Sequence, residues 1–193
     1  MDETSRILKD LVFCSHEMER EGLVVGSVGN ISARVDENMF YVSSHSSYLG
    51  RIGEEEFVLV NLSGEKVSDS PYEPSSELWM HIEIYRERKD VGAIVHTHSP
   101  YASTYAVLKR KLKPVNPESM YKLGEISIVP YFPSGTREFA RAVASAFKKG
   151  IKVALLERHG VVTVGSNVYE ALNYAELVEE IARINYLVDT LSR

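Results

Sequence analysis

The chain is poor in the residues that staple a fold, span a membrane or grip nucleic acid. It has one cysteine, Cys14, among 193 residues, so it holds no disulfide framework and a reducing cytoplasm is the expected setting. No apolar run approaches the ~20 residues of a membrane-spanning helix, and no secretory leader is recognisable, so no membrane partner is expected. Basic residues are outnumbered, 22 Lys and Arg against 27 Asp and Glu, for a formal charge of −5. That balance lacks the cationic surface that drives nucleic-acid binding, and no stretch is both basic and aromatic, so nucleic acid is not expected as a partner. Internal repeats and low-complexity segments are missing as well. A small anion remains within reach, because backbone amides and a metal bind anions locally whatever the net charge.

What is there is the composition of an ordinary globular protein, 44% hydrophobic and 25% charged. One domain over residues 1–193 is expected, long enough to bury a core without staples. Apolar residues at three- and four-residue steps predict a helix over Thr4–Glu21, stopped by Gly22. Strands are predicted at Ile31–Val35, Met39–Ser43, Phe57–Leu62, Ala93–Thr97, Ile126–Val129, Lys152–Leu156 and Val161–Val164. Further helices are predicted from Ser75, a candidate N-cap, to about Arg88, over Pro100–Leu108, over Thr136–Lys148, and from Asn167 onward with Val168, Leu172, Ala175, Val178, Ile181 and Val188 inward. Pro114 through Gly124 reads as irregular. The elements do not alternate strictly, which predicts a three-layer α/β/α fold with a central mixed sheet covered by helices on both faces.

The chemistry gathers at strand ends. Ala93-Ile94-Val95-His96-Thr97-His98-Ser99-Pro100 runs three apolar residues into His-x-His, and residues i and i+2 of a strand look out from one face. Two imidazoles so placed bind one cation, but a tetrahedral site needs another protein ligand. The turn Glu157-Arg158-His159-Gly160 supplies a third histidine, again at a strand end. Glu77 lies in the first turn of a predicted helix, where a carboxylate also serves simply to complement the helix dipole. His81, one turn on, reads as a packed or supporting residue. Hydroxyl- and glycine-rich loops stand at Gly26-Ser27-Val28-Gly29-Asn30, at Ser43-Ser44-His45-Ser46-Ser47 and at Ser75-Ser76. Each fits a plain turn, and each also suits an anion such as phosphate.

Taken together, Gly26-Ser27-Val28-Gly29-Asn30-Ile31-Ser32, Ser75-Ser76-Glu77, His96-Thr97-His98 and His159-Gly160-Val161 resemble, in order and spacing, the class II aldolase family of the fuculose-phosphate and ribulose-phosphate type. The resemblance implies a largely antiparallel sheet and a zinc ion, replaceable by cobalt or manganese, held by His96, His98 and His159. It makes Glu77 a fourth ligand or, once substrate displaces it, the general base. It places a sugar phosphate against Gly26, Ser27, Gly29, Asn30, Ser43, Ser44, Ser75 and Ser76. The reaction implied is cleavage of a ketose 1-phosphate to dihydroxyacetone phosphate and an aldehyde through a zinc-stabilised enediolate. A homotetramer with sites between subunits is also implied, with a tyrosine of the neighbouring subunit as proton donor.

This chain departs from the family pattern at two places. The second loop, Ser43-Ser44-His45-Ser46, lacks the family's proline and glycine and brings an imidazole instead. The donor slot holds Pro117, with Tyr121 the nearest tyrosine. The same scaffold hosts 4-epimerases, which tend to carry aspartate where Glu77 stands, and methylthioribulose-phosphate dehydratases, which keep the glutamate. Non-enzymatic interaction modules of the adducin head type lack the histidines that are present here.

Overall fold

The computed structural model describes residues 3–113 and 115–192. Its frame is a seven-stranded sheet of β1 (Asn30–Arg34), β2 (Met39–Ser43), β3 (Phe57–Asn61), β4 (Ala93–Thr97), β5 (Ile126–Val129), β6 (Val153–Leu156) and β7 (Gly160–Gly165). The spatial order is β3-β2-β1-β4-β7-β6-β5, and every neighbouring pair is antiparallel except β5 with β6. The expected mixed, largely antiparallel sheet is thus the one observed.

Side-chain alternation along each strand sorts the core into two layers. Phe40, Val42, Val58, Val60, Ile94, Val162 and Val164 pack on one face against α2 (Leu78–Glu87) and α5 (Arg137–Ala146). On the other face Ile31, Ala33, Ala93 and Val95 meet α1 (Glu3–Arg20) and the start of α6 (Val168–Leu191). Val153, Leu155 and Val161 meet the middle of α6, with α3 (Pro100–Val107) beside them. Helices therefore cover both faces. Among the described residues no helix is long and apolar enough to cross a membrane.

Three local expectations are corrected. The stretch read as irregular contains a short helix, α4 (Pro117–Leu123), while Pro114 itself lies outside the described residues. Asn116 caps α4 by accepting the Ser119 amide at 2.8 Å, Pro117 takes the first turn where its missing N–H costs nothing, and Gly124 leaves it at φ +63°. Helix α2 starts at Leu78 rather than at a Ser75 cap, because the backbone before it is tied to the sheet. Ser75 N–H donates to Ser43 O at 3.1 Å and His45 N–H to Glu73 O at 2.8 Å. Val188 is 53% exposed, since α6 runs past the sheet and its buried positions end at Asn185.

Candidate active site

Three histidines and one glutamate meet where β4 ends, β6 turns into β7, and α2 begins. His96 lies on the face of β4 that looks toward α2, and His98 follows the strand directly. His159 comes from the turn between β6 and β7, whose neighbour Arg158 takes φ +57°. Gly160 makes the approach possible: a Cβ there would collide with the Thr97 carbonyl and press on the His98 and His96 rings at 3.1 and 3.2 Å. One ring nitrogen from each histidine lies within 4.8 Å of the other two. Phe139 of α5 lies 5.2 Å from the His159 ring, centroid to centroid, and walls one side.

The protonation pattern suits ligation. His96 Nδ1–H donates to Val161 O at 2.9 Å, which leaves Nε2 as a lone pair directed at the cluster. Burial, and then the neighbouring His159 and His98, hold the His96 pKa well below its ordinary value, with the Val161 carbonyl offsetting part of this. Burial and then His159 lower that of His98. Both are therefore neutral donors near pH 7, the form a metal requires. His98 Nε2 stands 3.1 Å from His96 Nε2, a separation at which two ring nitrogens need a proton or a cation between them.

Glu77 is 7% exposed and closes the cluster from the start of α2. Its Oε2 accepts a hydrogen bond from Asn30 Nδ2 at 2.8 Å and lies 3.2 Å from His96 Nε2. Its Oε1 lies 3.2 Å from His159 Nε2, yet without the alignment of a hydrogen bond, so this buried oxygen has no hydrogen-bond partner. Leaving such an oxygen unpaired costs about 1–3 kcal/mol or more for a charged group. A cation among the three imidazoles would remove that cost. The donor set, three nitrogens and a carboxylate, fits a divalent transition metal.

The candidate anion loops divide. Ser43, Ser44 and Ser75 come together, because the end of β2 pairs with the segment leading into α2 through a bridge between Ser44 and Pro74. Ser43 Oγ accepts the Ile31 amide at 3.2 Å, and Ser75 Oγ accepts the Glu77 amide at 3.2 Å. Ser27 and Ser76 are exposed, and Gly26 and Gly29 take φ +64° and +83°. A Cβ on Gly29 would lie 2.8 Å from His96 O, so glycine there permits the loop to cross the histidine strand. Asn30 has its side-chain amide engaged at both ends, by Glu77 and, through Oδ1 at 2.6 Å, by His81 Nε2. Tyr121 stands 90% exposed on α4.

Reading residue types along the chain named Asn30 for phosphate alone and missed the parts of Ser32 and Tyr85. The Asn30 side chain touches Glu77, and Ser32 and Tyr85 continue the contact through His81. A signal existed in the polar alternation of Asn30, Ser32 and Arg34 on an otherwise apolar strand, matched by Glu77, His81 and Tyr85 at four-residue steps.

The sheet order and this site define a recognisable class. The sequence model described as Class II Aldolase and Adducin N-terminal domain matches residues 9–186, and the chain belongs to that family. It is 40% identical over 181 residues to the L-fuculose phosphate aldolase of Methanococcus vannielii, covering 94% of this chain and 96% of that protein. It is 31% identical to the 3-oxo-tetronate 4-phosphate decarboxylase of Haemophilus influenzae, covering 88% and 86% of the two chains. The solved structure of an L-fuculose 1-phosphate aldolase superposes with a TM-score of 0.89 at 28% identity, over 98% of this chain and 89% of that one. These relatives mark the chain as an enzyme of the aldolase and lyase kind.

Proposed function

We propose that this protein is a metal-dependent aldolase that cleaves a ketose 1-phosphate, of the L-fuculose 1-phosphate type, into dihydroxyacetone phosphate and an aldehyde. The observation that carries the reading is the convergence of His96, His98 and His159 on a buried Glu77 whose Oε1 has no hydrogen-bond partner. His96, His98 and His159 would hold the ion, zinc by preference, with cobalt or manganese also suited to the donor set. When bound, such an ion supplies Lewis acidity where negative charge develops on the substrate's carbonyl and hydroxyl oxygens.

The chain's own residues do the rest. Glu77 moves the proton on the carbon beside the carbonyl, returning it in cleavage and removing it in condensation. The wall formed by Phe139 limits water on one side of His159. Ser43 and Ser75 each accept a backbone amide and so keep a hydroxyl proton to donate to a phosphate oxygen. Ser44, Ser76, Gly26, Ser27, Gly29 and the second N–H of Asn30 complete the proposed phosphate pocket. In this reading the enzyme is a cytoplasmic homotetramer, and Tyr121 of a neighbouring subunit takes the proton from the hydroxyl that becomes the aldehyde oxygen in cleavage and donates it back in condensation. The high exposure of Tyr121 is consistent with a reach across an interface.

The test is metal content of the purified protein together with release of triose phosphate from fuculose 1-phosphate and its stereoisomers. About one metal per chain with triose-phosphate release is expected; a metal-free protein that releases none rejects the reading. A second reading is favoured by the similarity to a 3-oxo-tetronate 4-phosphate decarboxylase. There the bond beside the carbonyl loses carbon dioxide instead of an aldehyde, and the same Glu77 returns a proton to the same kind of carbon. Carbon dioxide release from a 3-oxo acid phosphate, without aldol cleavage, would select it.

A further inference from the structure

Where β1 faces α2, a layer that is otherwise apolar turns polar. Asn30, Ser32 and Arg34 occupy alternate positions of β1 and share one face. Glu77, at the head of α2, and His81 and Tyr85 within it recur every four residues and also share one face. The two spacings match, since two strand residues advance roughly 6.7 Å and four helical residues roughly 6 Å. The side chains interlock as rungs. Tyr85 Oη lies 2.8 Å from Ser32 Oγ, Ser32 Oγ lies 2.7 Å from His81 Nδ1, and His81 Nε2 lies 2.6 Å from Asn30 Oδ1. Asn30 Nδ2 then reaches Glu77 Oε2 at 2.8 Å. At the far end Arg34 donates to Tyr85 O at 2.9 Å and stacks its guanidinium 4.5 Å from the Tyr85 ring centroid.

The donors follow one another in a single direction. Asn30 must present its NH2 to the carboxylate, so its Oδ1 faces His81 and His81 Nε2 carries the hydrogen. A neutral imidazole has only one N–H, so His81 Nδ1 accepts from the Ser32 hydroxyl. Ser32, having donated its one proton, accepts from the Tyr85 hydroxyl. Burial keeps His81 neutral, with its pKa pushed down to about 3 despite the opposing pull of Glu77.

We propose that Tyr85, Ser32, His81 and Asn30 form a directional hydrogen-bonded chain that orients Glu77, holding Oε2 and leaving Oε1 as the oxygen that carries the proton in the reaction. The proposal deepens the aldolase reading of the site and rests on it for the identity of the proton transfer. It accounts for two facts at once: the two oxygens of Glu77 are unequal, one hydrogen-bonded and one without a hydrogen-bond partner, and four polar side chains between 0% and 5% exposed are placed where apolar packing would serve a core. A buried polar network is stabilising only when every member is satisfied, and here each rung satisfies the next. His81, Ser32 and Tyr85 are positioning residues, since each acts through Asn30.

The experiment uses the full chain. His81→Leu removes both ring nitrogens, and His81→Gln returns an N–H toward Asn30. His81→Leu is expected to lower kcat for triose-phosphate release about 10- to 100-fold, with KM and metal content unchanged, and His81→Gln to recover most of that loss. Ser32→Ala and Tyr85→Phe are expected to give progressively smaller losses, and they carry the test if His81→Leu does not fold. A second readout does not depend on activity. In the wild-type protein, 15N shifts of the imidazoles are expected to show His81 as the neutral Nε2–H tautomer and His96 as the opposite, Nδ1–H tautomer. An Nδ1–H tautomer at His81 overturns the proposal. So does a folded His81→Leu protein that keeps kcat within about twofold of wild type, or one whose loss is explained by lost metal. If the wild-type protein cleaves no ketose phosphate, the aldolase reading fails by itself, and the His81 tautomer decides the chain.

Discussion

Asn30 and His96 are direct cross-strand partners in the β1–β4 ladder, and both reach the same oxygen of Glu77, at 2.8 and 3.2 Å. Side by side on one sheet face, they place the carboxylate between a neutral donor and the nitrogen of a proposed metal ligand. The register of one strand pair therefore sets the geometry of the proposed base.

His96→Ala should remove the metal and the activity together. His96 is fully buried and donates to Val161 O, so the variant should also lose about 1–3 kcal/mol of stability while keeping its fold. Elemental analysis, circular dichroism and the triose-phosphate assay check this, with at least about a thousandfold drop in turnover expected. A folded variant with full activity would remove the metal centre from the mechanism.

Glu77→Gln keeps the shape and a hydrogen-bonding oxygen but cannot take a proton. Retained fold and largely retained metal are expected, with kcat lower by roughly 10²–10⁴ and KM little changed. Steady-state kinetics on metal-loaded protein decide it, and unchanged turnover would exclude Glu77 as the proton carrier.

Stability of the metal-free protein should fall in acid through His81. Its folded pKa is pushed down to about 3, chiefly by burial, against an ordinary 6.5. The unfolded chain therefore binds the proton more readily between those values. The stability this residue contributes is fully present above pH 6.5 and is lost as pH falls toward 3, by up to about 1.4 kcal/mol per pH unit. Urea midpoints between pH 7 and about 5 should fall more steeply for wild type than for His81→Gln; equal slopes would show that His81 is not held neutral.

Tyr121→Phe tests the proposed donor from a neighbouring subunit. Because the side chain is 90% exposed, stability should be unaffected. A fall in kcat of roughly 10²-fold is expected, as for loss of a general acid–base group. Turnover equal to wild type would send the search for the donor elsewhere.

Local pattern determined much of this protein before any contact was known. The three- and four-residue apolar steps in α1 and α6, the Asn167 cap and the apolar run of β2 depend on neighbours in sequence, so these helices and the strands could be read directly. The three histidines and Glu77 were legible for a related reason: few residue types ligate metals, and these stood at strand ends and a helix start. The Asn116-Pro117 start of α4 was equally local and went unread.

Other features depend on long-range pairing, which no local period encodes. Only the tertiary structure decided that Asn30 stands opposite His96, because strand register is settled by the whole sheet. It also decided that the Asn30 amide turns to Glu77 and His81, since a side chain's partners follow from which helix face lands on which strand. The exposure of Val188 was decided the same way: helical periodicity states which residues share a face, but only the extent of the sheet states where that face stops being covered.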